Sequence, residues 1–289
     1  MFTHFKPYVQ LFRVKHYFKN GLVFLPLFFS RQLMDIPRFL GACLGAAAFC
    51  FMSSAVYIFN DLKDVEKDKR HSRKKFRPIA SGAVDSSSAV LCILALLLLS
   101  ILFCVLTGNK YSIIPLLGYG AINILYSLGL KDKPLIDIVI LAAGFTIRVV
   151  YGAMVAGVIV SDWMYLTVLA ASFYMGLGKR RNELRREGTG GDTRLVLRHY
   201  TYDFLDKNMY VCLALVNTFY ALWAMQMSER SFPHLILTVP IVLVLLMRYS
   251  LDVEGDSDGD PIEVILNDKV LVVLAVLYIA CLVFLLYVL

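Results

Sequence analysis

The chain has 289 residues and a net charge of +7, and 58% of its residues are hydrophobic. A water-soluble domain of this length is closer to half apolar and lacks apolar runs long enough to cross a bilayer. The composition therefore excludes an ordinary soluble enzyme and predicts a polytopic membrane protein.

Apolar stretches of transmembrane length recur along the whole chain. We predict an all-α membrane bundle of about nine transmembrane helices around a central cavity, with helical cytoplasmic cap loops, as a single domain over residues 1–289. The segment between the first two stretches permits either a tight turn or one long broken helix. The predicted spans are residues 20–35, 37–59, 87–106, 111–129, 134–157, 162–178, 208–227, 232–248 and 270–289.

Lys and Arg residues are concentrated in alternate loops, which all lie on one side of the membrane if the N-terminus is cytoplasmic. The positive-inside rule then predicts a multi-pass cell-membrane protein whose N-terminus and long charged loops are cytoplasmic. Positive charge on that side can meet anionic lipid or phosphorylated substrates. We expect the lipid bilayer and such substrates as partners, and no nucleic acid.

The segment from Asn60 to Gly82 follows the second predicted span and gives the strongest indication of chemistry. Asp61, Asp64 and Asp68 are three and four residues apart, which places their carboxylates on one helix face. Mg²⁺ binds one or two carboxylates together with substrate phosphates. We therefore predict a Mg²⁺ site here, with Asn60 beside it at the membrane edge. The alternative is a solvated helix end paired with nearby Lys and Arg residues.

Basic residues later in this loop are candidates for phosphate binding. Arg77 precedes Pro78, which favours an extended backbone and keeps the arginine out of a helix. Guanidinium groups bind phosphate oxygens in a bidentate manner. His71 and Lys74 are further candidates, although Lys74 is explained equally well as a cation at the membrane surface.

A second basic segment, KRRNELRR, follows the sixth predicted span. Lys179 and Arg180 lie in it with several other cations, and Glu183 comes four residues after Lys179. So many positive charges in one short loop indicate an anion-binding site. The alternative is a basic cap on a helix end at the membrane surface.

Two ionisable residues fall on the fifth predicted span. Arg148 lies in its middle, and Asp137 lies three turns earlier, near the cytoplasmic end, flanked by Tyr126 and Lys131. Charged groups at such depth normally face a polar cavity or a partner rather than lipid. For Arg148, a structural pair with another helix is an equally good explanation.

The motif NDLKDVEKD followed by RPIASG resembles the UbiA-type superfamily of intramembrane prenyltransferases. The resemblance extends over nearly the whole chain and includes Lys19-Asn20 at the start of the first span and the stretch from Tyr126 to Asp137. It implies nine transmembrane helices and an Asp-rich Mg²⁺ site.

One loop departs from the pattern of those superfamily members that use a prenyl diphosphate. They carry a second Asp-rich motif after the sixth helix, where this chain has KRRNELRR. With Lys179, Arg180 and Glu183, this loop instead resembles the decaprenyl-phosphate phosphoribosyltransferase branch.

The resemblance implies Mg²⁺-dependent transfer of a 5-phosphoribosyl group from phosphoribosyl diphosphate to a polyprenyl phosphate, with release of diphosphate and inversion at the anomeric carbon. Donor phosphates are assigned to Arg77, Lys179 and Arg180, and the lipid phosphate to Lys19. The expected catalytic residues are Asp61, Asp64, Asp68, Arg77 and Lys179, the first three as metal ligands. The expected substrate-binding residues are Lys19, Asn20, Asn60, His71, Lys74, Tyr126, Lys131, Asp137, Arg148, Arg180 and Glu183.

Two other functions remain open at this point. An aromatic or quinone-precursor prenyltransferase that uses a polyprenyl diphosphate has the same spans, but it requires a second Asp cluster. A non-catalytic protein that binds or transports a phosphorylated lipid carrier shares the spans and cations, but it does not require the acidic face formed by Asp61, Asp64 and Asp68.

Overall fold

The structure is a computed structural model that describes residues 2–71, 74–187, 194–230, 232, 234–255 and 261–288. All regular secondary structure in these residues is helical. The α-helices are α1 (Phe2–Leu11), α2 (Leu25–Phe29), α3 (Ile36–Lys63), α4 (Val65–Arg70), α5 (Ser86–Leu106), α6 (Ile113–Leu128), α7 (Ile136–Ala156), α8 (Asp162–Glu187), α9 (Tyr202–Arg230), α10 (Val239–Glu254), α11 (Pro261–Asn267) and α12 (Lys269–Val283). Shorter 3₁₀ segments are Val14–Phe24, Lys74–Phe76, Lys110–Ser112, Leu130–Asp132, Leu195–His199 and Leu235–Thr238, and Phe284–Val288 forms a π-helical end.

Seven of the described helical segments are long and apolar enough to cross a membrane, so the predicted all-α membrane fold is confirmed. They are Ile36–Lys63, Ser86–Leu106, Lys110–Leu128, Ile136–Ala156, Tyr202–Glu229, Leu235–Glu254 and Lys269–Val288.

The predicted number of nine is approximate, because two predicted spans have a different character. The first, 20–35, contains the end of a 3₁₀ segment and then the short α2. Pro26 is the second residue of α2, a position where its missing N–H costs little. The sixth is α8, a long helix whose charged C-terminal end lowers its hydropathy.

The chain divides into two compact units, which are described separately. The first consists of residues 1–131 and 147–159. Helix α3 is its central element and packs against α5, α6 and the 3₁₀ segment Val14–Phe24. The core of this unit includes Phe49, Met52 and Tyr151, all at most 2% exposed.

The second unit consists of residues 132–146 and 160–289. Helices α8 and α9 pack along each other, and α10 packs against α9 and α12. Its core surrounds Leu197, Leu205 and Met209. Helix α7 contributes its first half to this unit and its second half to the other. The expectation of a single domain stays a prediction.

Candidate functional site

The acidic residues lie where α3 continues into α4. Asp35 precedes α3 and caps it, because its carboxylate accepts a hydrogen bond from the backbone N–H of Arg38. Asp64 separates the two helices, yet its N–H donates to the Asn60 carbonyl at 3.0 Å and its carbonyl accepts from Asp68 at 2.8 Å. The helical hydrogen bonding therefore continues and carries the carboxylates out of the apolar segment.

Asp61 and Asp68 share one guanidinium group. Nη1 of Arg77 lies 3.0 Å from Oδ1 of Asp61 and 2.7 Å from Oδ2 of Asp68. Both aspartates are only 3% exposed. Removing two carboxylates from water is costly unless nearby positive charge and hydrogen bonds compensate. Arg77, selected from the sequence because of the proline after it, supplies that compensation.

A second guanidinium at Asp61 comes from a residue that the sequence analysis did not select. Nη2 of Arg13 lies 2.6 Å from Oδ1 of Asp61, and its Cζ lies 4.8 Å from the ring centroid of Tyr57. In the sequence Arg13 is one of several cations ahead of the first span and resembles an ordinary membrane-surface anchor. Its separation of 48 residues from Asp61 gives no periodic signal that could have identified the pair.

Asp64 pairs with a lysine side chain. Nζ of Lys131 lies 2.7 and 2.8 Å from the two oxygens of Asp64. One helical turn before Lys131, the Ser127 hydroxyl donates to Oδ1 of Asn60 at 3.1 Å. The structure thus brings Lys131 and Asn60 to residues 61–68, called the acidic segment below, and it places the half-buried Tyr126 on the same end of α6.

The three aspartates do not form one cluster in the structure. Asp61 and Asp68 meet at Arg77, whereas Asp64 is paired with Lys131. Among the described residues, no group of three or more His, Cys, Asp or Glu side chains is arranged to hold a metal ion. The metal site formed by all three aspartates therefore stays a prediction.

The chemistry of these side chains nevertheless fits Mg²⁺. Carboxylate oxygens are the hard ligands that this ion prefers, and it keeps water and phosphate oxygens in its remaining positions. The two buried carboxylates already require positive charge, which Arg13 and Arg77 provide here. A divalent cation bound to Asp61 and Asp68 can supply the same positive charge, and the carboxylates that it needs are already present.

His71 and Lys74 lie just beyond α4. Nδ1 of His71 accepts a hydrogen bond from the backbone N–H of Lys74 at 3.4 Å, and both side chains are half-buried. Lys19 is also half-buried and lies on the 3₁₀ segment beside the buried Asn20. Their contacts with substrates stay predictions.

Arg148 is buried within the first unit and makes structural contacts. Its Nε donates to Oδ1 of Asn20 at 2.8 Å, and its Nη2 donates to the Tyr119 hydroxyl at 3.1 Å. Its Cζ lies 4.9 Å from the ring centroid of Phe49 and 4.8 Å from that of Tyr119, which adds cation–π attraction. Of the two explanations for Arg148, these contacts favour a structural pair with neighbouring elements, and they assign Asn20 to the same cluster.

A second polar cluster lies at the charged end of α8, in the second unit. Arg180 and Asp137 are both fully buried, and Nε of the arginine lies 2.5 Å from Oδ2 of the aspartate. Arg180 also donates to Glu183, one turn later on the helix. The Arg180 side chain is 0% exposed, so a direct contact with a phosphate would require rearrangement around it, and that contact stays a prediction.

Tyr200 completes this cluster and was missed from the sequence, because it lies in a loop with no spacing signal. Its hydroxyl donates to Oδ1 of Asp137 at 2.5 Å and accepts the backbone N–H of Leu135 at 2.7 Å. Burial and the hydrogen bond to Asp137 raise the pKa of Tyr200. The loop after α8 is thereby fastened to the start of α7.

The electrostatics of Glu183 follow from the cations around it. Burial alone raises the pKa of a carboxyl group, but the positive charges of Arg180, Arg194 and Lys179 outweigh it and lower the pKa of Glu183 to about 2. Glu183 is therefore ionised at any physiological pH.

Other residues of the basic segment dock α8 against its neighbours. Arg181 pairs with Asp206 on α9 at 2.5 Å, and Asn182 donates to the Val253 carbonyl at 2.9 Å. Arg185 donates to the Gly255 carbonyl at 2.7 Å, at the end of α10. Much of the basic segment therefore stabilises helix ends, and anion binding by the half-buried Lys179 stays a prediction.

Residues 22–261 match the UbiA prenyltransferase family. The chain belongs to this family. The expected membership is thus confirmed, and the UbiA match includes the acidic segment, the basic segment and Arg148.

Relatives of the chain include two curated proteins that share one description. The chain is 34% identical over 294 residues to the decaprenyl-phosphate phosphoribosyltransferase of Corynebacterium glutamicum, covering 97% of this chain and 86% of the relative. It is 33% identical over 240 residues to the decaprenyl-phosphate phosphoribosyltransferase of Mycolicibacterium smegmatis, covering 78% of this chain and 74% of the relative.

Solved structures share the fold. A UbiA homolog from Archaeoglobus fulgidus bound to GPP and Mg2+ matches with a TM-score of 0.70 and 19% identity, over 97% of this chain and 99% of that one. At this level of identity the likeness supports the fold alone.

Proposed function

We propose that the protein transfers the 5-phosphoribosyl group of phosphoribosyl diphosphate to a polyprenyl phosphate and releases diphosphate. The observation that carries the proposal is the 34% identity to a decaprenyl-phosphate phosphoribosyltransferase over nearly the whole chain. The basic segment at the C-terminal end of α8, which stands in place of a second acidic motif, supports the same branch of the family. The acceptor's phosphate oxygen is already ionised, so the reaction needs no strong general base.

The acidic segment binds the leaving diphosphate in this proposal. Mg²⁺, held by Asp61, Asp64 and Asp68, would supply the positive charge that stabilises the departing group. Arg77 and Lys131, which contact these carboxylates in the structure, are close enough to bind phosphate oxygens of the donor beside it. The anomeric carbon passes through an oxocarbenium-like state, and attack opposite the diphosphate predicts inversion.

Lys19 is the proposed contact for the lipid phosphate, and Lys179 for a phosphate of the donor. The charged loops and the N-terminus face the cytoplasm in this proposal, because phosphoribosyl diphosphate is water-soluble and the positive-inside rule favours that side. The lipid acceptor then reaches the site from the bilayer.

An assay of diphosphate release tests the proposed activity. Purified protein is incubated with Mg²⁺, phosphoribosyl diphosphate and a polyprenyl phosphate, together and with each substrate left out. The expected result is release of diphosphate only when both substrates are present. Product from an isoprenyl diphosphate and an aromatic acid would instead favour a prenyltransferase, and absence of any turnover with lipid binding retained would favour a carrier-binding protein.

A pair of variants tests the acidic segment. Asp64→Ala should reduce turnover at least a hundredfold, because it removes a proposed metal ligand and leaves Lys131 without its carboxylate partner. Glu66→Gln is the matched control: Glu66 is exposed on α4 and pairs with Lys69 at the surface, so turnover should stay close to that of the wild type. Retention of most activity in Asp64→Ala would contradict the metal assignment.

A further inference from the structure

Arg13 lies at a bend of the chain with an uncommon backbone conformation. Its φ of 52° and ψ of 46° are in the left-handed region, which is unfavourable for a residue with a Cβ atom. Such conformations persist where surrounding contacts hold them, and they are concentrated at functional sites. Here the bend joins α1 to the 3₁₀ segment Val14–Phe24 and directs the guanidinium group toward α3.

The guanidinium group is held on two sides and remains partly accessible. It contacts the Asp61 carboxylate at 2.6 Å and lies 4.8 Å from the ring centroid of Tyr57. The Arg13 side chain is 22% exposed, whereas that of Asp61 is 3% exposed. Because its planar guanidinium group has five N–H donors, Arg13 can donate to Asp61 and to a second anion at the same time, or it can release Asp61 and donate to the second anion alone.

The charges at this point of the structure are balanced. The guanidinium groups of Arg13 and Arg77 contact the carboxylates of Asp61 and Asp68. A divalent cation bound to those carboxylates would leave both guanidinium groups beside excess positive charge. Phosphate oxygens remove that excess, and guanidinium groups bind them strongly.

We propose that Arg13 is a phosphate-binding residue that neutralises Asp61 in the metal-free protein and turns to a substrate phosphate when a divalent cation takes over Asp61. This inference rests on the proposed function, because it requires both the metal and a diphosphate. It makes Arg13 and the metal competitors for one carboxylate, and it makes metal and diphosphate binding cooperative.

Equilibrium binding tests these roles without turnover. Mn²⁺ binding is measured by electron paramagnetic resonance, and inorganic diphosphate binding at saturating Mn²⁺ by calorimetry. Arg13→Gln should bind Mn²⁺ alone at least as tightly as the wild type, since the competitor is gone. Its affinity for diphosphate should fall about tenfold or more, as expected for a lost charged hydrogen bond. Lys15→Gln, exposed on the same segment, should match the wild type in both measurements.

A purely structural role gives a different pattern, in which Arg13→Gln weakens Mn²⁺ binding or leaves diphosphate binding unchanged. Either result overturns the inference.

If Arg13→Gln does not fold, Arg13→Lys answers the same question. Lysine keeps the positive charge but lacks the planar guanidinium group, so the affinity for Mn²⁺ should stay near that of the wild type while diphosphate binds several-fold more weakly. Unchanged diphosphate affinity in this variant contradicts the proposal.

The two proposals fail in distinguishable ways. If the wild-type protein binds neither Mn²⁺ nor diphosphate, the proposed function itself fails. If the wild type binds both and the Arg13 variants match it, only the role of Arg13 is overturned.

Discussion

At the scale of single residues, buried carboxylates are paired with guanidinium groups in each of the two units. Asp61 contacts Arg13 and Arg77, and Asp137 contacts Arg180. Arginine suits this task because its planar group stays charged and donates several hydrogen bonds at fixed angles. A substitution that removes one charge of such a pair leaves the other charge buried and uncompensated, which typically lowers the free energy of unfolding by about 3–5 kcal/mol. Charge here therefore contributes to folding as well as to the proposed chemistry.

The low pKa of Glu183 predicts a pH dependence of stability. A pKa of about 2, below the ordinary 4.5, means that Glu183 stabilises the folded state fully above pH 4.5 and loses this contribution as the pH falls toward 2. Glu183→Gln should therefore lower the free energy of unfolding at neutral pH by up to about 3 kcal/mol. The difference from the wild type should shrink steadily in acid.

Chemical unfolding in detergent micelles across this pH range measures the effect. Asp203→Asn is the control, because Asp203 and its partner Lys207 are both well exposed; its effect should stay within about 0.5 kcal/mol. An equal loss at every pH for Glu183→Gln would show that the glutamate acts through packing and not through its charge.

At the scale of elements, close packing around α7 depends on residues without a side chain. A Cβ atom added at Gly45 on α3 would lie 2.7 Å from Cγ2 of Val155 on α7. One added at Gly152 on α7 would overlap the backbone carbonyl of Val23, in the 3₁₀ segment. A side-chain end can move aside, whereas a backbone carbonyl moves only with its whole segment. The position of the 3₁₀ segment is therefore fixed most directly by Gly152.

Alanine substitutions at two helix glycines test this packing. Gly152→Ala should destabilise the protein by about 1–3 kcal/mol, because the methyl group meets the Val23 backbone. Gly118→Ala is the matched control on α6: nothing lies within 4 Å of its added Cβ, and alanine favours the helix by up to about 1 kcal/mol. Thermal unfolding in detergent compares the two. Equal melting temperatures for both variants would contradict the close approach.

At the scale of the whole molecule, the sequence predicts the helices well because apolar length is a local property. Each predicted span overlaps a helical segment, and the differences arise where local signals compete, as in the 3₁₀ segment before Pro26. The partners of the charged residues are not local. Arg77 could be predicted because the proline that follows it is a local signal, whereas the contacts of Arg13 and Tyr200 depend on how distant segments pack. The prediction that three aspartates form one group assumed that they share one helix face. The ion pair between Lys131 and Asp64 could not be predicted from that spacing.

The predicted orientation of the protein in the membrane can be tested directly. Lys75 lies in the long charged loop before α5, and Lys110 lies in the short turn after it; both side chains are exposed. Helix α5 has 21 residues, enough to span a hydrocarbon core of roughly 30 Å. Since the positive-inside rule places the charged loop in the cytoplasm, Lys110→Cys should react with a membrane-impermeant maleimide in intact cells. Lys75→Cys should react only after permeabilisation, with the unsubstituted protein measuring the background of the native cysteines. The reverse pattern would place the acidic segment outside the cell, away from any cytoplasmic supply of phosphoribosyl diphosphate, and would contradict the proposed reaction as well as the orientation.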